Sequence, residues 1–116
     1  MKESDIGLVA LPQEDGQIKL RPVLLLKKLP GFDDFLVCGI STQLRLEQKG
    51  LDEILSPDPQ NRLKQTSLVR LTYIHTLSFQ TIRGKVGEIP PALHMELLKR
   101  LATFLLPEDL ALKNKS

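Results

Sequence analysis

The sequence predicts a small, strongly bent antiparallel β-barrel with a single C-terminal α-helix. Three observations carry this. Most of the chain breaks into short stretches of aliphatic and β-branched residues separated by Gly, Pro, Asn and Asp. The stretch KLRPVLLL, residues 19–26, ends in aliphatics that are apolar at odd and even positions alike, which requires burial on two sides, as in a tightly curled barrel or at a subunit interface. The end of the chain carries leucines at three- and four-residue steps, the period of one helix.

Taken in order, residues 5–11 form a first strand that stops at Pro12. The polar QEDGQIK, residues 13–19, contains Gly16 and reads as a mobile loop. Residues 20–26 are the second strand, with Pro22 near its start or at an edge, where a missing N–H does least harm. LPGFDD, residues 29–34, is a turn, and FLVCGIS, residues 35–41, is the third strand. Residues 42–67 are irregular apart from a short strand at 52–55, and SPDPQNRLKQT is a loop with two prolines. SLVRLT, residues 67–72, resumes strand character and is followed by shorter pieces at 73–79 and 81–87, with Gly84 and Gly87 marking a turn or bulge. The helix starts at Pro90 and Pro91, runs through Leu93, Leu97, Leu98, Leu101, Phe104 and Leu105, and ends at Pro107. Its apolar stripe suits either the barrel or a dimer surface. Residues 1–116 thus read as one domain with its core at 5–106 and a loose tail at 107–116.

Composition bounds the function. A chain of 116 residues with 41% hydrophobic and 26% charged residues is an ordinary soluble globule. No uninterrupted apolar run exceeds four residues, so no helix is expected to cross a bilayer. The N-terminus MKESDIGLVAL is acidic where a signal peptide is basic, which points to the cytoplasm. A net charge of +2 fits a polyanionic partner. One cysteine allows neither an internal disulfide nor a thiol cluster. With one Tyr, four Phe and no Trp, a nucleic-acid site would rest on Arg, Lys and hydrogen bonds rather than stacked rings.

Several chemistries are poorly supplied. His75 and His94 are the only histidines; His94 lies beside Leu93 and Leu97, where a surface or interface position is the default, and His75 is better placed to line a groove. No HExxH or paired-aspartate motif occurs, so no metal or cofactor is expected. Cys38 within FLVCGI reads as a core residue. What remains is a set of cations and hydroxyls at strand ends: Arg21, then Ser41, Thr42 and Gln43, then Arg70. A lone strand arginine is ordinarily a solvated edge charge. Arg21 differs in standing against an aliphatic run, where a guanidinium calls for a phosphate or a carboxylate.

The ordered set of a DI-x-LV-x-LP strand, a glycine-containing loop, an RPVLLL strand, a strand ending in ISTQ, a later SLVRL and a terminal LLKRL helix resembles the MazF/PemK family of bacterial toxins over about residues 5–106. The resemblance implies an SH3-like barrel with a C-terminal helix, a homodimer, and metal-independent endoribonuclease activity on single-stranded RNA, often mRNA at short preferred sequences. It also implies the toxin role in a type II toxin–antitoxin system, with a cognate antitoxin whose acidic, disordered tail lies in the RNA groove. Arg21 matches the family's catalytic arginine, Ser41 falls where a catalytic threonine is usual with Thr42 beside it, and Arg70 matches a second arginine of some members. Gln17, Lys19, Gln43, Thr72 and His75 are expected to contact RNA. Thr72 stands where those members place an aspartate, His75 where an arginine is common, and Ser4 where a glycine is usual. The alternative is a catalytically inactive module of the same fold that acts by binding a protein, as the gyrase-inhibiting toxins with a related barrel do.

Overall fold

Residues 23–26 show why this sheet has two covered faces. All four are fully buried: Leu24 and Leu26 join Ile6, Cys38, Ile40, Val69 and Leu71 in one core, while Val23 and Leu25 join Val9, Phe35, Val37 and Ile82 in another. Alternation along a strand sends neighbouring side chains to opposite faces, so a run apolar at every position needs both faces covered. The expectation of burial from two sides is met within one chain.

The structure, a computed structural model, describes residues 1–12 and 15–108. The strands are β1 (Asp5–Pro12), β2 (Ile18–Lys28), β3 (Asp34–Ser41), β4 (Glu53–Leu55), β5 (Ser67–Ser78) and β6 (Ile82–Glu88), followed by helix α1 (Pro91–Leu105). They form one antiparallel sheet in the order β4-β5-β3-β2-β1-β6. The edge strands β4 and β6 are bridged by the two-proline loop: Glu88 donates its N–H to the Gln60 carbonyl at 3.0 Å. Gly87 packs so tightly there that any side chain would overlap the Asn61 backbone. Buried Asn61 holds the loop, accepting from Leu63 N at 3.0 Å and donating to the Ser56 carbonyl at 2.9 Å. This contact gives the sheet its barrel-like closure.

Several elements differ from their sequence reading. β2 begins at Ile18, because the hairpin with β1 continues to Pro12↔Ile18. Pro22 lies inside it, but β2 pairs with β3 only from Val23 onward, so Pro22 sits where one side of the strand has no ladder to interrupt. β5 is one strand rather than two pieces, its register against β3 changing between Gly39↔Arg70 and Cys38↔Ile74 so that residues 71–73 are inserted. Gly84 and Gly87 belong to β6, where the register against β1 shifts twice. Gln13 and Glu14 of the expected loop at 13–19, and residues 109–116 of the expected tail at 107–116, lie outside the described residues.

On α1, Leu97 and Leu101 are buried and Leu93 and Leu98 partly so, while Phe104 and Leu105 remain 56% and 66% exposed. His94 is not at the surface: it is buried, with Nε2 2.8 Å from the Leu26 carbonyl. That bond satisfies its polar edge, which is what lets a histidine lie inside an apolar stripe. Arg100 ties the helix to β4, donating from Nη2 to Glu53 at 2.9 Å and from Nη1 to the Leu51 and Asp52 carbonyls at 3.4 and 3.3 Å. Burial pulls the Arg100 guanidinium down, but Glu53 and Glu96 outweigh this and raise it.

At the N-terminus, Ser4 stands at φ 79°, in the left-handed region. Its backbone is locked, donating to Leu25 O at 2.9 Å and accepting from Ile89 N at 3.0 Å. Asp5 is buried beneath Lys2 and Lys85, each with Nζ 3.3 Å from Oδ1. Burial alone would raise its carboxyl, yet the Lys2 backbone N–H and the two ammonium groups prevail and lower it. Cys38 has no such help; burial, with the Asp52 charge added, pushes its thiol up to about 12. No helix among the described residues is long and apolar enough to cross a membrane.

Candidate functional site

The pair Val23↔Gly39 anchors the geometry of the site, with Arg70 opposite Gly39 on the next strand. Two residues beyond that pair, on the same face, stand Arg21 of β2 and Ser41 of β3. Arg21 faces Val9 of the second core across β1, and Ser41 is the last residue of its strand. Arg21, Ser41 and Arg70 are therefore brought to one end of one sheet face on three adjacent strands. All three are half-buried.

The Ser41 hydroxyl is oriented by the turn that follows it. Its Oγ accepts from Gln43 N at 3.0 Å. That bond occupies a lone pair and leaves the hydroxyl hydrogen available for a further acceptor. Thr42 is exposed beside it, its carbonyl accepting from Leu44 N at 3.1 Å. Gln43 is exposed and its Oε1 takes a hydrogen bond from Arg45 at 2.9 Å, which adds a cation that sequence reading passed over.

The remaining expected contacts are spread more widely. Lys19 lies two residues before Arg21, hence roughly 7 Å along the same face, and is exposed. Gln17 precedes the strand and donates its N–H to Asp15 at 3.0 Å. Thr72 is exposed within the inserted residues 71–73. His75 is half-buried opposite Val37, and its Nε2 is enclosed with no hydrogen-bond partner among the described residues.

Sequence reading also passed over Tyr73, the only tyrosine, which lies partly exposed beside Arg70 and His75. The Arg70 guanidinium lies over its ring, 4.8 Å from the centroid. The His75 ring meets it edge-on, with centroids 4.8 Å apart and planes at 80°. Gly39 is the floor: a Cβ there would come 2.7 Å from Tyr73 Cδ1. Scarcity of aromatics suggests a site without rings, but the one tyrosine lies under Arg70.

Behind the cluster, the buried Asp52 carboxylate accepts from Leu71 N at 3.0 Å and from Gln48 N at 2.9 Å. The insertion in β5 takes the Leu71 N–H out of the β3 ladder, and Asp52 replaces the lost acceptor. No group of three or more His, Cys, Asp or Glu side chains among the described residues could hold a metal ion. The arrangement of two guanidinium groups and a hydroxyl able to donate is suited to a tetrahedral oxyanion such as a phosphate.

A model of the PemK-like, MazF-like toxins of type II toxin–antitoxin systems matches residues 2–105. The fold is similar to that of the Mycobacterium tuberculosis toxin MazF-mt6, with 21% identity, a TM-score of 0.67, and 89% of this chain and 98% of that one covered. It is also similar to an endoribonuclease solved with its cognate antitoxin from a mycobacterial species, with 20% identity, a TM-score of 0.69, and coverage of 92% and 97%. MazF from Deinococcus radiodurans gives 17% identity, a TM-score of 0.67, and coverage of 90% and 96%. No curated protein sequence matches the chain. At these identities the structures speak for a shared mainly-β, barrel-like fold with a C-terminal helix, and the family match covers nearly the whole sequence. The chain belongs to the PemK-like, MazF-like toxin family of type II toxin–antitoxin systems.

Proposed function

We propose that this chain is an endoribonuclease that cleaves single-stranded RNA by attack of the substrate's own 2′-hydroxyl, without a metal cofactor. The observation that carries the reading is the placement of Arg21, Ser41 and Arg70 at one end of a single sheet face. RNA supplies its own nucleophile, so the protein's task is to align that oxygen with phosphorus and stabilise the charge that develops. The 2′-oxygen bonds to phosphorus and loses its proton; the bond to the 5′-oxygen breaks, and that oxygen gains a proton. The products are a 2′,3′-cyclic phosphate and a 5′-hydroxyl.

Arginine, with a pKa above about 12, is a poor base and a good clamp for phosphate oxygens. Arg21 is therefore assigned to the charge on the phosphoryl oxygens, Ser41 and Thr42 to positioning the phosphate, and Arg70 to the side of the leaving oxygen. His75 is assigned a supporting place, since its Nε2 is enclosed rather than presented. Lys19, Gln17, Gln43 and Thr72 would line the strand on either side.

The same cationic face suits an acidic segment of an antitoxin, which would block RNA by occupying it. One similar structure was solved with its cognate antitoxin. A second copy of the chain would cover apolar surface such as Phe104 and Leu105. Action on mRNA places the protein in the cytoplasm.

Incubation of the purified chain with a long RNA in EDTA tests the reading. Fragments ending in 2′,3′-cyclic phosphate are expected, and Arg21→Ala should lose them by a hundredfold or more, the order found when one preorganised donor is removed. An intact RNA after incubation with the wild-type chain would instead favour the protein-binding module.

A further inference from the structure

We infer that Tyr73 is a positioning residue that sets the Arg70 guanidinium on the substrate face, and that Gly39 is glycine so that the ring can lie there. The inference rests on the ribonuclease reading above and adds to it a part outside the set of cations and hydroxyls.

Three observations converge. The insertion of residues 71–73 breaks the alternation of β5, and Asp52 fixes it by accepting from Leu71 N, so the backbone carrying Tyr73 is held from behind. Gly39 lets the ring rest against β3, where even an alanine would overlap Cδ1. His75 then meets the ring edge-on, limiting its freedom on that side. A ring held in this way offers Arg70 a fixed seat at 4.8 Å.

The choice of partner matters for the chemistry. A carboxylate would hold Arg70 equally well, but it would neutralise the charge and occupy N–H groups that a phosphate needs. A ring attracts the cation through its quadrupole and consumes neither. Among the described residues no carboxylate forms an ion pair with Arg70, whereas Arg100 has two. Tyr73 therefore restrains Arg70 while leaving it able to meet an anion.

The test is a double-mutant cycle on RNA cleavage, read together with NMR of the arginine Nε–Hε signals. Tyr73→Leu should lower kcat roughly tenfold with little change in KM, because a misplaced group weakens the transition state more than binding. Tyr73→Phe keeps the ring face and should stay within about twofold of wild type. In an Arg70→Ala background, Tyr73→Leu should add less than about twofold. A residue with a merely structural role would show additive losses in the cycle, and that result, or an unchanged kcat in Tyr73→Leu, would overturn the inference. In the wild-type chain the Arg70 Nε–Hε signal should be ring-current shifted, and the shift should survive Tyr73→Phe. Its absence would equally overturn the inference, even if Tyr73→Leu fails to fold. If the wild-type chain leaves RNA intact, the ribonuclease reading fails, while the NMR shift still decides whether Tyr73 seats Arg70.

Discussion

Arg100 and Arg70 are both half-buried arginines on regular elements, and they are used in opposite ways. Arg100 has four of its five N–H groups engaged, by Glu53, Glu96 and two backbone carbonyls, and it joins the helix to the edge of the sheet. Arg70 lies over a ring on a sheet face, beside a strand that ends in the Ser41 hydroxyl. A guanidinium surrounded by acceptors contributes to stability and has little left for a ligand. One seated on a ring contributes less to stability and keeps its hydrogen-bonding edge.

The largest test of that contrast is to remove each arginine in turn. Arg70→Ala should reduce RNA cleavage on the order of a hundredfold with a melting temperature close to wild type. Arg100→Met should do the reverse, leaving Glu53 unpaired and lowering stability by about 1–2 kcal/mol with little change in the chemical step. Paired activity assays and thermal melts check both; a large stability loss in Arg70→Ala would erase the distinction.

Asp52 connects the two regions, since its carboxylate holds the inserted segment beside Arg70 and its carbonyl accepts from Arg100. Asp52→Ala orphans the N–H groups of Gln48 and Leu71 and should destabilise by about 2–3 kcal/mol in a denaturant titration. It should also lower cleavage in the surviving folded fraction, because the backbone carrying Tyr73 loses its support.

Smaller effects lie at the N-terminus, away from the site. Ser4 adopts a left-handed conformation that glycine takes without strain, so Ser4→Gly should raise stability by up to about 1 kcal/mol and leave cleavage unchanged. Asp5 sets a pH dependence. Its carboxyl is lowered in the folded state, so its contribution is present above the unfolded value of about 3.9 and is lost as pH falls through the lower folded value. Melting temperature should therefore drop below about pH 4 in wild type, and less steeply in Asp5→Asn.

Much of this was legible in the sequence, and the parts that were not share a cause. The aliphatic run at 23–26 announced a strand covered on both faces, and it is covered on both faces. The leucine period placed α1, with Pro90 at its N-cap and Pro91 at its first helical position. Arg21, Ser41 and Arg70 were identifiable as strand-end candidates, but their common face depends on the register between β2, β3 and β5. Tyr73 was hidden for the same reason: only the inserted residues 71–73 and the missing side chain at Gly39 bring it beneath Arg70. His94 looked like a surface residue because its acceptor, the Leu26 carbonyl, lies 68 positions away in the chain. Periodicity reports which way a residue points along its own strand or helix, and says nothing about what a distant strand places opposite it.

A cut made by the RNA's own 2′-hydroxyl on the face that carries Arg21, Ser41 and Arg70 cannot occur where that hydroxyl is missing. The most direct measurement maps the main cleavage position in an RNA, then replaces the nucleotide 5′ to that bond with its 2′-deoxy form and repeats the reaction in EDTA. This one bond should resist cleavage while neighbouring sites are still cut. Cleavage of the deoxy-substituted bond at an undiminished rate would rule out attack by the internal hydroxyl.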